Sequence, residues 1–131
     1  MSTATEKFNK KYTEVVKKIE KNFADLKVGE KMLISSPRSI ANYVKKIPYG
    51  TEKYVKLMRR KLAENANANN TCPLTCRIFL RIAIEASIEQ SDGAKHDLPF
   101  WRVIDRNSSL MKKLPISEKY LIELRTSEDL Q

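Results

Sequence analysis

The apolar positions of this chain recur at helical spacing over most of its length. Between residues 5 and 27, Phe8, Tyr12, Val15, Val16, Ile19, Phe23 and Leu26 return at steps of three and four, and Lys, Glu and Asn fill the other face. That predicts a long N-terminal amphipathic helix, packed on the domain body or paired with another chain, and Gly29 in "KVGEKML" ends it. A second helix starts in "SSPRSIANYVKK", with Ser36 as N-cap, Pro37 as first helical residue and Ile40, Tyr43 and Val44 as its buried stripe. "IPYG" (47–50) is a turn, and Thr51 caps a third helix, "EKYVKLMRRKLAEN", that turns Val55, Met58 and Leu62 inward. After a polar loop at 64–70, Thr71 and Pro73 pair as N-cap and first residue of a fourth helix. It spans 73–90 and carries Ile78, Phe79, Ile82, Ala83 and Ala86 inward, with Arg77 and Arg81 four apart on another face.

The pattern changes after a loop around Gly93. "LPFWRVID" has the β-branched and aromatic content of a strand, "RNSS" turns the chain, "LMKKL" offers a short return strand, and "ISEKYLIELRTSE" closes with a helix. Two helices joined by a polar turn, followed by a strand pair, form a helix-turn-helix with a wing. The expected fold is α+β and mostly helical. It has an amphipathic helix and linker over 1–31 and a winged helix-turn-helix domain over 32–131.

A length of 131 residues suits one compact domain. No apolar run approaches the roughly 20 residues that cross a bilayer, and the N-terminus lacks the apolar stretch of a signal peptide. A cytoplasmic protein without a membrane partner is expected. The net charge of +9 is uneven: residues 32–91 carry 10 Lys or Arg against 4 acids, and residues 92–131 carry 7 against 7. A basic excess in mid-chain points to a polyanionic partner, nucleic acid first, against the plainer reading of a solvated lysine-rich face. Cys72 and Cys76 lack the further ligands of a zinc site, and His96 is the single histidine. Small buried thiols at a helix start are expected, with no metal and no cofactor.

The order of landmarks resembles the DNA-binding domain of the O6-alkylguanine-DNA alkyltransferases and their non-catalytic alkyltransferase-like relatives. That family opens the domain with I/V-P-x-G, here "IPYG". It carries an arginine finger in A-R-A-V-G on the second helix of the helix-turn-helix, where "CRIFL" (76–80) places Arg77. Its active-site strand reads P-C-H-R-V-I/V, here "PFWRVI" (99–104), with Pro99, Arg102, Val103 and Ile104 retained. The resemblance covers about residues 33–125. It implies a winged-helix domain on double-stranded DNA, an inserted arginine and a guanine turned out into a pocket. The implied DNA contacts are Arg77 with Thr75 and Arg81 on the fourth helix, and Lys53, Tyr54, Lys56, Arg59 and Arg60 on the third. The implied remnant pocket is Pro99, Phe100, Trp101 and Arg102.

The departures exclude the family's reaction. Phe100 stands at the alkyl-accepting cysteine and Trp101 at the histidine that activates it, and alkyl transfer needs a thiolate and its base. Val55, with Tyr54 one residue short, falls at the nucleotide-turning tyrosine. Ala86 falls at the hinge asparagine, and Arg125 at the pocket-closing glutamate. "RNSSLMKKLPISE" replaces the glycine-rich loop. The expectation is a non-enzymatic duplex-DNA-binding protein, recognising damaged guanine or serving repair signalling. The alternative is a protein-interaction, oligomerising or transcription-regulatory module with a repair or regulatory partner, or a homodimer through the N-terminal helix. Either ring could stack on a base or fill space. Arg77 is an intercalating finger or a phosphate contact, and Arg102 ties the strand to a carboxylate.

Overall fold

The computed structural model describes residues 3–91 and 96–130. The expected loop around Gly93 lies outside them. Helix α1 (Ala4–Asn9) is followed by strands β1 (Val15–Lys18) and β2 (Lys31–Ile34), helices α2 (Pro37–Lys45) and α3 (Val55–Asn65), strand β3 (Asn70–Thr71) and helix α4 (Pro73–Gln90). Two 3-10 turns, Phe100–Arg102 and Ser109–Lys113, lead to helix α5 (Glu118–Thr126). The fold is α+β. No helix among the described residues is long and apolar enough to cross a membrane.

The long N-terminal helix is not there. Thr3 and Glu6 close a capping box on α1, and the Glu89 carboxylate accepts from the Ala4 and Thr5 amides. The helix stops at Asn9. Val15 and Val16, stiff at χ1 and better suited to a pleated surface, enter a hairpin instead. β1 runs antiparallel to β2, with Val16 opposite Leu33 and Lys18 opposite Lys31. Positive φ at Ala24 (54°) and Gly29 (91°) shapes the turn region between them. The pairing crosses the expected 31/32 boundary, so the N-terminal segment is stitched into the sheet. β3 adds to β2 in parallel, Leu33 opposite Thr71, giving the order β1-β2-β3.

The helix starts that depend on local chemistry lie where expected. Ser36 caps α2 through the Ser39 amide, and Pro37 occupies its first turn. α4 begins at Pro73, but Cys72 is its N-cap because Thr71 is engaged in β3. α3 begins at Val55 after Tyr54, not after Thr51. One core unites these elements. Ile40 and Val44 from α2, Met58 from α3, Leu80 and Ile84 from α4, and Leu121 from α5 are all buried in it, beside Leu33 of β2.

The expected wing is also absent. The expected strand at 98–105 holds a 3-10 turn at Phe100–Arg102, and the expected return strand at 110–114 falls on the 3-10 turn Ser109–Lys113. A strand needs a ladder, and here the carbonyls find other donors. Arg125 Nη1 donates to the carbonyls of Trp101 (2.7 Å) and Ile104 (3.0 Å), and the Lys53 amide donates to that of Arg102 (2.8 Å). Backbone acceptors satisfied by a side chain no longer require a sheet.

Candidate nucleic-acid interface

The segment that resembles an active-site strand is tied down by one carboxylate. Glu128, just past α5, is buried and accepts four hydrogen bonds: from Trp101 Nε1 (2.7 Å), Arg102 Nε (2.8 Å), Arg102 Nη2 (2.8 Å) and the Gly50 amide (2.8 Å). Burial pushes its pKa up, but the donors, Arg102 first, outweigh that and hold it at about 2. Arg102 Nη1 also donates to the Ile47 carbonyl, and Tyr49 Oη donates to the Ser127 carbonyl. Gly50 holds φ at 74°, a conformation that suits glycine. Arg102 thus joins the "IPYG" turn, the 99–104 segment and the C-terminal end. The resemblance implies Arg125 in place of a pocket-closing glutamate, and a carboxylate nevertheless faces residue 101. Glu128 supplies it from three residues on.

Phe100 is fully buried, with 0% exposure, beside buried Pro99. Trp101 is half-buried. Its indole edge packs against Phe100 at 5.3 Å between centroids, and His96 sits edge-on to Phe100 at 5.4 Å and to Trp101 at 6.2 Å. Tyr120 closes the group at 5.8 Å from His96, and its hydroxyl is hydrogen-bonded to His96 Nε2 at 2.6 Å. Burial lowers the His96 pKa and favours a neutral ring. Four rings at these separations fill the space around residue 100. Phe100 is buried and Trp101 half-buried, but the two rings touch, and they sit on a 3-10 turn rather than on the alternating faces of a strand.

α4 presents the second group of candidates. Its core stripe is Cys76, Leu80, Ala83, Ile84 and Ala86. Of the residues expected inward, Ile78 is 48% exposed, and Leu74 beside it is 58% exposed. Arg77 is exposed. It lines an open hollow of about 230 Å³, bounded also by Arg81 of α4, Lys7 of α1 and Lys113 of the second 3-10 turn. The floor is Ile78, Ile82 and Leu110, and the one carboxylate is Glu85. Arg81 Nε lies 3.3 Å from that carboxylate, an ion pair without hydrogen-bond alignment. Thr75 does not join this group: its hydroxyl is sealed from solvent with no partner among the described residues.

The basic residues of α3 do not form one face with Arg77. Arg59 is 8% exposed. Its guanidinium donates to Asp25 through Nη1 (3.0 Å) and Nη2 (2.7 Å), and its Nε donates to the Thr71 carbonyl (3.0 Å). The Arg59 hydrogen bonds hold the Asp25 carboxyl below its usual range. This pair clamps the hairpin to α3, which removes Arg59 from the surface that a phosphate can reach. Lys56 and Arg60 are exposed and have no ion pair among the described residues. Tyr54 is 64% exposed, with its hydroxyl pKa raised by the hydrogen bond to Glu52. Lys53 lines a separate groove between α2 and α3.

Sequence reasoning passed over Lys7, Lys113, Glu128, His96 and Tyr120. Only the lysines had a local signal, their charge. The others reach the site from distant segments. Both thiols are buried, and burial pushes Cys76 up to about 12, which leaves it a packing residue. No group of three or more His, Cys, Asp or Glu among the described residues is placed to hold a metal ion. No family model, no curated protein and no solved structure matches the chain.

Proposed function

We propose that the protein is a non-enzymatic duplex-DNA-binding domain of the alkyltransferase-like kind that grips the phosphodiester backbone through α4 and captures no base. The observation that carries the reading is the hollow of Lys7, Arg77, Arg81 and Lys113, which gathers four cations against a single carboxylate. Arg77 and Arg81 come from the helix that resembles a recognition helix. Lys113 comes from the loop that replaces the family's glycine-rich one. α3 and α4 serve as the helix-turn-helix pair, without a wing. Recognition of a damaged guanine drops out of the proposal, because Phe100 and the rings of His96, Trp101 and Tyr120 occupy the place of a base pocket.

The test is a titration of short duplexes, plain and carrying O6-methylguanine, followed by anisotropy of a labelled strand. With four phosphate contacts, affinity falls by about two powers of ten between about 50 and 200 mM salt. Both duplexes bind equally. Arg77→Ala and Lys113→Ala each reduce the salt slope by about 0.9. No binding at low salt overturns the proposal, and preference for the modified duplex restores lesion recognition.

A second reading, a protein-interaction module, draws on the hairpin, where Val15 (39%), Val16 (41%), Phe23 (39%) and Val28 (59%) are exposed. A homodimer through a long N-terminal helix has no such helix to use. A solution mass of one chain at high concentration counts against self-association through the hairpin.

A further inference from the structure

We infer that β1 pairs antiparallel, edge to edge and centred on Val16, with the β1 of a second copy of this chain, so that the two sheets become one. The inference rests on the interaction reading of the hairpin, to which it gives a definite partner, and not on DNA binding through α4. β1 is an outer strand in the order β1-β2-β3. Its side chains, Val15 to Lys18, are all exposed, so neither face of the strand is covered. The opposite outer strand, β3, is two residues long, and both are buried. Among the described residues the free edge of the sheet therefore belongs to β1. An uncovered edge with two β-branched residues is a template for another strand.

The hydrogen bonds of the sheet fix which main-chain groups point outward. Ile19 donates its amide to the Glu30 carbonyl (3.0 Å), and its carbonyl accepts from the Gly29 amide (2.9 Å), so both of its groups face the other arm of the hairpin. On β2, the carbonyls of Lys31 and Leu33 accept from the amides of Asn69 (2.9 Å) and Cys72 (2.8 Å), so these residues face β3. Val16 lies opposite Leu33, and Lys18 opposite Lys31. Both are thus pairs whose main-chain groups turn away from each other. The N–H and C=O of Val16 and Lys18 point off the sheet, and no other described residue hydrogen-bonds to them there.

The charges along this edge select the register and the partner. In an antiparallel pair, a residue with outward groups must lie opposite another with outward groups. Two registers obey this rule and keep most of β1 paired, one centred on Val16 and one on Lys17. Centred on Lys17, two lysines meet on the axis and Glu14 lies opposite Glu20, which places like charges together. Centred on Val16, Glu14 of each copy lies opposite the partner's Lys18, and Val15 lies opposite the partner's Lys17. The Glu14 carboxylate is exposed and already held in place, since its Oε2 accepts from the hydroxyls of Ser36 (3.0 Å) and Ser39 (2.5 Å). Oε1 is left for the lysine. An acid and a base set symmetrically about one valine make a segment complementary to itself. A second copy related by a two-fold axis satisfies both pairs, whereas an unrelated strand has no need of that symmetry.

Sedimentation velocity of the full-length chain, from micromolar to millimolar concentration, tests the pairing. The wild type passes from one chain to two over that range. Val16→Pro removes an outward donor and no bond to β2, so the variant keeps the thermal melt of the wild type and stays a single chain. Lys18→Glu, at an exposed position, does not depend on proline being tolerated. It sets like charges opposite each other on both sides of the axis and weakens the dimer by about tenfold. Glu14→Lys/Lys18→Glu exchanges the charges and regains that loss. Wild type that remains a single chain at every concentration overturns the inference and leaves the hairpin to a different protein. A double variant no tighter than Lys18→Glu overturns the pairing centred on Val16. A dimer that Val16→Pro and Lys18→Glu both leave intact overturns the inference as well. If Phe23→Ser/Val28→Ser then dissociates that dimer, the interaction reading of the hairpin stands without edge pairing. If it does not, that reading falls too.

Discussion

Glu128→Gln isolates the contact on which the 99–104 segment hangs. The substitution keeps size and burial and removes the charge. It leaves the Arg102 guanidinium, whose side chain is 14% exposed, facing an amide. One amide oxygen cannot serve the four donors now satisfied, and the new NH₂ group points at Arg102 or Trp101. Breaking a buried pair in this way costs about 3–5 kcal/mol. The depressed pKa gives an independent figure. From an ordinary 4.5 to about 2 is worth roughly 3 kcal/mol of stability, at about 1.4 kcal/mol per tenfold change in proton affinity. With a urea m-value of about 1.5 kcal/mol per M, the midpoint drops by roughly 2–3 M.

Trp101 is the single tryptophan and donates to the altered group, so its fluorescence follows unfolding at the site itself. Because the folded pKa lies below the ordinary value, the stabilisation is complete above pH 4.5 and vanishes as pH falls toward 2. Wild-type stability therefore declines through that window, and the variant's decline is smaller by the lost contribution. Adding Arg102→Met to Glu128→Met costs little further, since it removes the uncompensated guanidinium. A loss below about 1 kcal/mol for Glu128→Gln, or independent additive losses in the double variant, refutes the reasoning.

Phe100→Ala empties a fully buried ring site and lowers stability by about 3–5 kcal/mol in urea unfolding. The same burial predicts that Phe100→Cys/Trp101→His, which installs the two residues of the alkyltransferase motif that "PFWRVI" resembles, transfers no alkyl group from modified DNA when assayed by mass spectrometry and melts below wild type. Arg59→Ala releases the hairpin from α3. Asp25 is partly exposed, at 39% of its side chain, so the loss is about 1–3 kcal/mol rather than that of a fully buried pair. Hydrogen exchange over 15–34 then accelerates ahead of that in α4. Cys72 and Cys76 resist a thiol reagent at neutral pH in the native state and react at the rate of unfolding, because Cys76 remains protonated and both are buried. Rapid native labelling contradicts the buried placement.

Local chemistry in the sequence sufficed for α2 and α4. Ser36 followed by Pro37, and Pro73 after a polar run, mark helix starts through groups within a few residues of each other. It did not suffice for residues 10–34. Val15, Val16 and Ile19 satisfy a helical period and a strand equally, and the choice is made by β2, whose residues 31–34 supply the ladder. The candidate site divides in the same way. The exclusion of thiol chemistry at Phe100 and Trp101 is written in residue identity alone. That Arg59 is a clamp rather than a phosphate contact depends on Asp25, 34 positions away, which no periodicity connects to it.

Side-chain chemistry and helix caps, then, are properties of short stretches, and the sequence determined them. It set the basic mid-chain, the two best-defined helix starts and the absence of a nucleophile at residue 100. The tertiary structure decided which charges remain free and which backbone carbonyls need a strand partner. Those depend on groups far apart in the chain: Glu128 on Trp101, Arg125 on the carbonyls of Trp101 and Ile104, and Lys113 across from Arg77. A wing was readable from residues 98–114 because their side chains suit strands. It does not form because the hydrogen bonds it would have made are taken by a guanidinium and by its own 3-10 turns.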